Sequence, residues 1–383
     1  MYSLYIHIPF CRRACHYCDF HFSTTLKRKG EMVKALCEEL ILRKGEAVGS
    51  ELQTIYLGGG TPSILSYEEL QQLFRTIFTH YKVNTTAEIT LEANPDDFFR
   101  ATSPEQFLEQ LRSLGINRLS LGVQSFFEED LRLMNRVHTV SQVETLLQIA
   151  PQYFNNITID LIYGIPEMSE ERWQENIDKA LSFDIPHISA YALTVEEKTA
   201  LHKFIATGKI PPISDEQAYT HFQMLIDTLE TAGFMQYEFS NFGKEGYFSR
   251  NNTAYWFGKP YMGIGPSAHS FNGKERSWNI AHNIKYIQQI QQGILPQEKE
   301  ELTLNNRYNE LIITRIRTMV GIDLEEVRTV FGEGYCQYLL QQAEKYLADE
   351  LLVIEENHLK VTRKGRFLSD GIASDLFRVD DLT

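Results

Sequence analysis

Three thiols crowd into the run Tyr5-Ile6-His7-Ile8-Pro9-Phe10-Cys11-Arg12-Arg13-Ala14-Cys15-His16-Tyr17-Cys18, spaced C-x3-C-x2-C. They are three of only five cysteines in 383 residues. Iron–sulfur cubes are usually held by four thiolates, so a compact loop that offers three leaves one iron of a [4Fe–4S] cluster with an open position for a small chelating molecule. A structural zinc would want four closed ligands, with His16 or His21 as the fourth, at a spacing shorter than zinc sites generally use. A disulfide would leave one thiol over and would need an oxidising compartment. Cys37 and Cys336 stand alone on expected helices, where a free cysteine is a small buried hydrophobe.

A loop of this kind needs a scaffold. Short β-branched runs at Leu4–Ile8, Thr54–Leu57, Ala87–Leu91, Arg118–Gly122, Ile157–Ile162 and His187–Leu193 are each separated by enough chain for a helix. Repeated βα units give a parallel sheet with right-handed crossovers. Six of them suit an incomplete barrel better than a closed eight-stranded one, although periodicity alone leaves an open doubly wound sheet as the alternative.

In such folds the reactive groups sit at the C-terminal ends of the strands. The first expected strand ends in the cysteines and the second in Gly58-Gly59-Gly60-Thr61-Pro62, whose bare backbone lets a ligand come close. The third ends at Glu92, a carboxylate able to accept the two hydroxyls of a ribose or simply to face solvent. The fourth ends in Gly122-Val123-Gln124-Ser125-Phe126 and leads to Asn135-Arg136-Val137-His138. The fifth holds Asp160 inside an apolar run, where a buried charge needs a partner or a ligand. The sixth ends at Ala192, small enough for a flat ring to lie against it, or for core packing.

The thiol motif resembles that of the radical S-adenosylmethionine (SAM) proteins, in which SAM chelates the open iron through its amino and carboxylate groups. More narrowly, Tyr-x-His-Ile-Pro-Phe-Cys followed by Cys-x-Tyr-Cys-Asp-Phe is similar to the group containing oxygen-independent coproporphyrinogen III oxidase and heme chaperones, and the likeness runs along nearly the whole chain. The resemblance implies an α/β fold, a partial (β/α)6 TIM-like barrel with a small C-terminal α+β domain. It also implies a [4Fe–4S] cluster on Cys11, Cys15 and Cys18, and SAM held by Tyr5, Tyr17, Gly59, Gly60, Thr61, Glu92, Gln124, Arg136, Asp160 and Ala192.

Beyond about residue 195 the pattern changes. Helical segments at 196–207 and 215–232 bracket Pro211-Pro212, and aromatic residues then crowd with glycines up to Gly263-Ile264-Gly265-Pro266-Ser267-Ala268-His269-Ser270, as would suit a flat apolar ligand or a cap of packed loops. The heme chaperones carry a His-Asn-x-x-Tyr-Trp motif, and here it reads Asn251-Asn252-Thr253-Ala254-Tyr255-Trp256. Asparagine is a poor heme ligand beside histidine; His269, His282 or His7 could substitute, although a lone histidine is more often a hydrogen-bonding residue than a ligand. Asn252, Tyr255, Trp256 and His269 form the expected heme region. Past residue 300, three helices and the strands Leu351–Glu355 and His358–Val361 suggest a winged-helix-like unit. The expected divisions are therefore a barrel core (1–195), a barrel extension with aromatic loops (196–300) and a C-terminal domain (301–383).

Charge and missing features bound the function. A net charge of −14 disfavours a phosphate backbone as main partner, and the basic cluster Lys360, Arg363, Lys364 and Arg366 is read as a solvated face. No signal peptide or membrane span is evident, so a cytoplasmic protein is expected, meeting a membrane only through a recipient. The oxidases have a fourth cysteine two positions beyond the third, where Phe20 stands here, and an N-terminal extension, whereas Cys11 lies almost at the start. The expectation is thus a heme chaperone that passes its cargo to a recipient hemoprotein and takes electrons from a donor. Propionate decarboxylation by a coproporphyrinogen oxidase, or radical SAM chemistry on another substrate, are the alternatives.

Overall fold

The computed structural model describes residues 2–47, 49–100 and 102–379. Six parallel strands stand side by side in chain order: β1 (Tyr2–Ile8), β2 (Leu52–Gly59), β3 (Val83–Ala93), β4 (Arg118–Gln124), β5 (Ile157–Tyr163) and β6 (His187–Ala192). Alternation along them divides two surfaces. Leu4 and Ile6, Ile55 and Leu57, Leu119 and Leu121, and Ile157 and Ile159 are buried in one apolar core under the helices. The residues between them are polar and meet their neighbours on the next strand: Tyr56 donates to Glu92 at 2.7 Å, Ser120 to Asp160 at 3.4 Å, and Thr158 Oγ1 lies 2.6 Å from His187 Nδ1. The sheet thus encloses a polar interior, as a barrel does and an open two-sided sheet does not.

The connecting helices carry matching apolar stripes. Helix Tyr67–His80 buries Leu70, Leu73, Phe74 and Ile77 at the i, i+3, i+4, i+7 spacing and begins with a Ser66/Glu69 capping box. The sheet also extends at both edges. β7 (Met235–Glu238) and β8 (Asn241–Gly243) follow β6 in an antiparallel sense, while β9 (Tyr261–Ile264) pairs parallel with β1 from Ser3↔Tyr261 to Ile6↔Ile264. β10 (His269–Phe271), β11 (Glu275–Asn279) and β12 (Gln297–Glu301) complete twelve strands. The segment 196–300, expected to be loops and barrel extension, therefore supplies both flanks of the one sheet.

The C-terminal part has its own apolar cluster, from Tyr308 to Leu376. Helices Leu304–Arg315, Leu324–Phe331 and Glu333–Ala348 pack on a sheet of β13 (Ile322–Asp323), β15 (His358–Val361) and β14 (Leu352–Glu355) in that order. The third strand is an addition to the expected pair, too short at two residues to show periodicity. The basic cluster is not simply a solvated face. Arg363 pairs with Asp227 and Glu230, and Arg366 reaches Glu230 at 3.2 Å and Gln236 at 2.7 Å, fastening this part to helix Asp215–Thr231. Cys37 and Cys336 are buried in the two apolar clusters. Among the described residues no helix is long and apolar enough to cross a membrane.

Candidate functional site

The cysteine loop leaves β1 over the C-terminal mouth of the barrel and is held there by contacts from distant parts of the chain. Arg12 Nε donates to Asp97 at 2.8 Å, and Ser63 donates to the same carboxylate at 2.7 Å. His16 Nδ1 lies 2.7 Å from the Leu133 carbonyl, and Asn135 donates to the Ala14 carbonyl at 2.7 Å. Thr61 Oγ1 donates to Cys11 Sγ at 3.5 Å, while Arg136 Nη1 lies 3.3 Å from Cys15 Sγ and 3.5 Å from the Tyr17 hydroxyl. Burial pushes the Cys11 thiol up to about 11, against the Thr61 hydrogen bond. Coordination to iron would keep it deprotonated.

These groups line one pocket. Cys11, Cys15, Cys18, Tyr17, Gly59, Gly60, Thr61, Glu92, Gln124, Arg136 and Asp160 all face it. Two glycines make room for it. Gly59 has φ +105, and a Cβ there would meet the His7 ring at 2.4 Å; a Cβ on Gly122 would lie 2.9 Å from both Arg136 Nη2 and Gln124 Nε2. Gln124 ends β4 in the left-handed region at φ 69, an unusual conformation for a residue with a side chain and one that marks sites held for a purpose.

Two carboxyls oppose the cluster loop across the pocket. Glu92 accepts from Tyr56 and from the Gly59 amide at 3.2 Å, yet burial raises it to about 7. Burial likewise lifts Asp160 to about 6, with Arg118 and Arg136 acting against the rise. Each carboxyl lacks the number of donors that would favour its charge, so a ligand bringing hydroxyl or ammonium hydrogens would complete it.

Two expected cofactor residues lie outside this pocket. Tyr5 faces the adjoining cavity of about 440 Å³, and Ala192 ends β6 packed against the core. Spacing gave no sign of Arg12, Asn94, Asp97 or Asn135, because a polar residue in a loop reads equally well as surface. His138 also lines the pocket, with Nε2 3.1 Å from the Val123 carbonyl and Nδ1 buried without a partner among the described residues.

The adjoining cavity shares Gly59, Glu92 and Phe20 with the cysteine pocket, and Tyr255 and Tyr261 with a third cavity of about 810 Å³. That third cavity lies between barrel and C-terminal part and is walled by Asn252, Tyr255, Trp256, Tyr261 and Phe271. His269 is not among its walls but faces the 440 Å³ cavity, on the sheet face that carries Phe271 two residues on. Asn251 points away, to the barrel floor, where it accepts from Thr54 Oγ1 at 2.8 Å and its amide donates to Glu88 at 3.0 Å.

The thiols fit a cubane better than a single ion. Among the described residues no group of three or more His, Cys, Asp or Glu could hold one metal ion. His16 is turned to Leu133 and His21 Nε2 to Asn283 at 2.7 Å, so neither completes a zinc site. The three thiols ring one pocket beside a guanidinium that favours thiolates, with polar groups opposite for a chelating ligand.

A three-thiol loop at the mouth of a partial parallel barrel defines a radical SAM protein, and residues 5–180 match the Radical SAM superfamily, with 302–368 matching the HemN C-terminal domain. Proteins of this superfamily use a [4Fe–4S] cluster and SAM. The heme chaperone HemW of Bacillus subtilis is 33% identical over 377 residues, covering 97% of this chain and 98% of that one. HemW of Escherichia coli is 30% identical over 381 residues, covering 97% and 96%. The solved coproporphyrinogen III oxidase HemN of Escherichia coli superposes with a TM-score of 0.85 at 25% identity, over 98% of this chain and 90% of that one. The chain belongs to the HemW family of radical SAM proteins.

Proposed function

We propose that this protein is a heme chaperone, binding heme beside a SAM-bearing [4Fe–4S] cluster and releasing it to a recipient hemoprotein. The observation that carries the reading is the 810 Å³ aromatic cavity joined through the 440 Å³ one to the cysteine pocket. Tyr255 and Tyr261 meet there with ring centroids 4.4 Å apart, an apolar wall broad enough for a flat macrocycle. The relatives named heme chaperones span nearly the whole chain, and Phe20, 70% exposed at the pocket mouth, stands where the oxidases place a fourth cysteine.

Within this reading Cys11, Cys15 and Cys18 hold the cluster. Tyr17, Gly59, Gly60, Thr61, Glu92, Gln124, Arg136 and Asp160 hold SAM, with Tyr5 and Ala192 behind them. When bound, the cluster supplies an open iron and an electron for SAM. Glu92 accepts ribose hydroxyls, and Thr61 and Arg136 fix two of the thiolates by hydrogen bonds to sulfur. Asn251 is spent on the barrel floor and cannot serve the iron. His7 contacts Tyr5 and the His21 carbonyl through its two ring nitrogens, and His282 Nδ1 caps a helix. His269 alone of the three makes no hydrogen bond through its ring among the described residues, which makes it, on the wall of the adjoining 440 Å³ cavity, the candidate among them for the axial position, with covalent attachment of the cargo as the alternative. Residues 1–195, 196–300 and 301–383 are taken as cluster-and-SAM core, cargo wall and cover. A cytoplasmic setting, a respiratory recipient and an electron donor belong to the same proposal.

The oxidase is the second reading, favoured by the superposition on HemN. One experiment separates them. The reduced, SAM-loaded protein is titrated with hemin while the Soret band is recorded, and is incubated separately with coproporphyrinogen III and an electron acceptor. A saturable Soret shift, lost or altered in His269→Ala, without protoporphyrinogen formation is expected. Many turnovers to protoporphyrinogen would establish the oxidase instead, and neither signal would leave a radical SAM enzyme of other substrate.

A further inference from the structure

The cavity between barrel and C-terminal part is walled by aromatic rings and by charged side chains, among which arginines outnumber carboxylates, in a chain with 51 acidic and 37 basic residues. Four arginines line it: Arg276, Arg307, Arg315 and Arg317. Three carboxylates line it as well, and their engagements account for only part of that charge. Arg276 pairs with Glu310, and Arg315 pairs with Glu326 while donating to the Trp256 and Phe257 carbonyls. Glu238 accepts from Asn241 and from the Ser240 amide.

Two guanidinium groups are left with capacity. Arg307 is half-buried in the cavity wall and its guanidinium makes no hydrogen bond or ion pair among the described residues. Arg317 lies over the rings of Phe239 and Trp256, at 5.4 and 5.6 Å, and gives Nη1 to Asp370, but its Nε is buried without a partner. A buried N–H of a charged group without an acceptor is costly, and a planar guanidinium is suited to a carboxylate.

We infer that Arg307 and Arg317 form a carboxylate clamp that orients a flat macrocycle by its acidic edge. Resting on the heme reading above, this makes the cargo's two propionates the groups recognised. The aromatic rings of Tyr255, Tyr261 and Phe271 cover the apolar face, and the C-terminal part supplies the charge. The clamp selects carboxylated porphyrins over esterified ones and draws the C-terminal part into cargo binding.

The test is a titration of the cluster-loaded protein with hemin and, in parallel, with hemin dimethyl ester, for the natural chain, Arg307→Gln and Arg317→Lys. Thermal unfolding followed by circular dichroism, which includes the helices of the C-terminal part that carries both arginines, reports that each variant is folded. The natural chain is expected to bind hemin at least about tenfold more tightly than the ester, and Arg307→Gln to lower hemin affinity about tenfold while leaving the ester unchanged. Arg317→Lys, which keeps the charge without the planar fork, is expected to lose part of the same preference. Equal binding of hemin and ester by the natural chain, or an equal loss of both in Arg307→Gln, overturns the clamp while the heme reading stands. Failure of the natural chain to bind hemin overturns both.

Discussion

Glu92 shows how a single residue can be set at odds with the fold until a ligand arrives. In the folded chain it keeps its proton up to about pH 7, whereas the ordinary value is 4.5. A carboxyl whose folded value is raised gives stability that is full below the unfolded value and lost as pH rises through the folded one. Stability of the cluster-free protein should therefore fall between about pH 4.5 and 7 on this account, and Glu92→Gln should remove that fall. The variant should gain about 2–3 kcal/mol on the natural chain between pH 5 and pH 8. Urea unfolding at the two pH values measures it, and a difference that does not change with pH would place Glu92 in a better solvated setting. The cysteines make a plainer prediction. Each of Cys11→Ala, Cys15→Ala and Cys18→Ala should take reconstituted protein from about four irons to a small fraction of that, with loss of visible absorbance. Full iron in all three would remove the cluster from this loop. The thiols, Glu92 and Asp160 were legible because the thiols follow the first strand, Glu92 stands at the end of the third, and Asp160 is a charge inside an otherwise apolar run. Arg12 and Asp97 were not, since their pairing spans 85 positions and neither residue is unusual in a loop.

Strands and turns supply the geometry in which those side chains meet. All six central strands were readable from the sequence, since each alternates apolar residues toward the helices with polar residues toward the lumen, and the alternation survives in short runs. β9 was not, because four residues after a proline, one of them Gly263, carry too little pattern and its partner β1 lies more than two hundred positions away. Gly122 shows how an element can serve the site with little effect on the fold. A methyl group there would meet the far ends of Arg136 and Gln124, both at 2.9 Å, and the Asn94 side-chain oxygen at 3.4 Å. Gly122→Ala should therefore keep its thermal midpoint nearly unchanged while weakening SAM roughly tenfold, as those two side chains move out of line. Calorimetric SAM titration beside a melting curve separates the effects. A large drop in melting temperature would mean that β4 itself cannot accept the methyl group.

At the scale of the whole molecule, the two functions assigned to the chain are built from different amounts of it. Every residue lining the cysteine pocket lies between Cys11 and Asp160, so on the proposed reading SAM and cluster are held by the barrel alone. The aromatic cavity needs two parties, with Tyr255 and Tyr261 from the barrel side and Arg307, Leu311 and Phe331 from the C-terminal part. Their relative placement depends on the arginines of the basic cluster, which meet Asp227 and Glu230 on helix Asp215–Thr231, together with the hydrogen bond from the Met319 amide to the Tyr237 carbonyl at 3.0 Å, the Arg276–Glu310 pair and the bonds from Arg315 to the Trp256 and Phe257 carbonyls. Single exposed ion pairs are worth little, but reversing two charges turns several attractions into repulsions at one seam. The double variant Arg363→Glu/Arg366→Glu should loosen that seam without unfolding either part, because each has its own apolar cluster. Amide exchange should rise in helix Asp215–Thr231 and across 363–376, hemin affinity should fall severalfold, and SAM affinity should stay where it was. If hemin binds the variant as tightly as the natural chain while exchange shows the seam open, the C-terminal part is no wall of the cargo site, and the cargo is held by the barrel's own aromatic face.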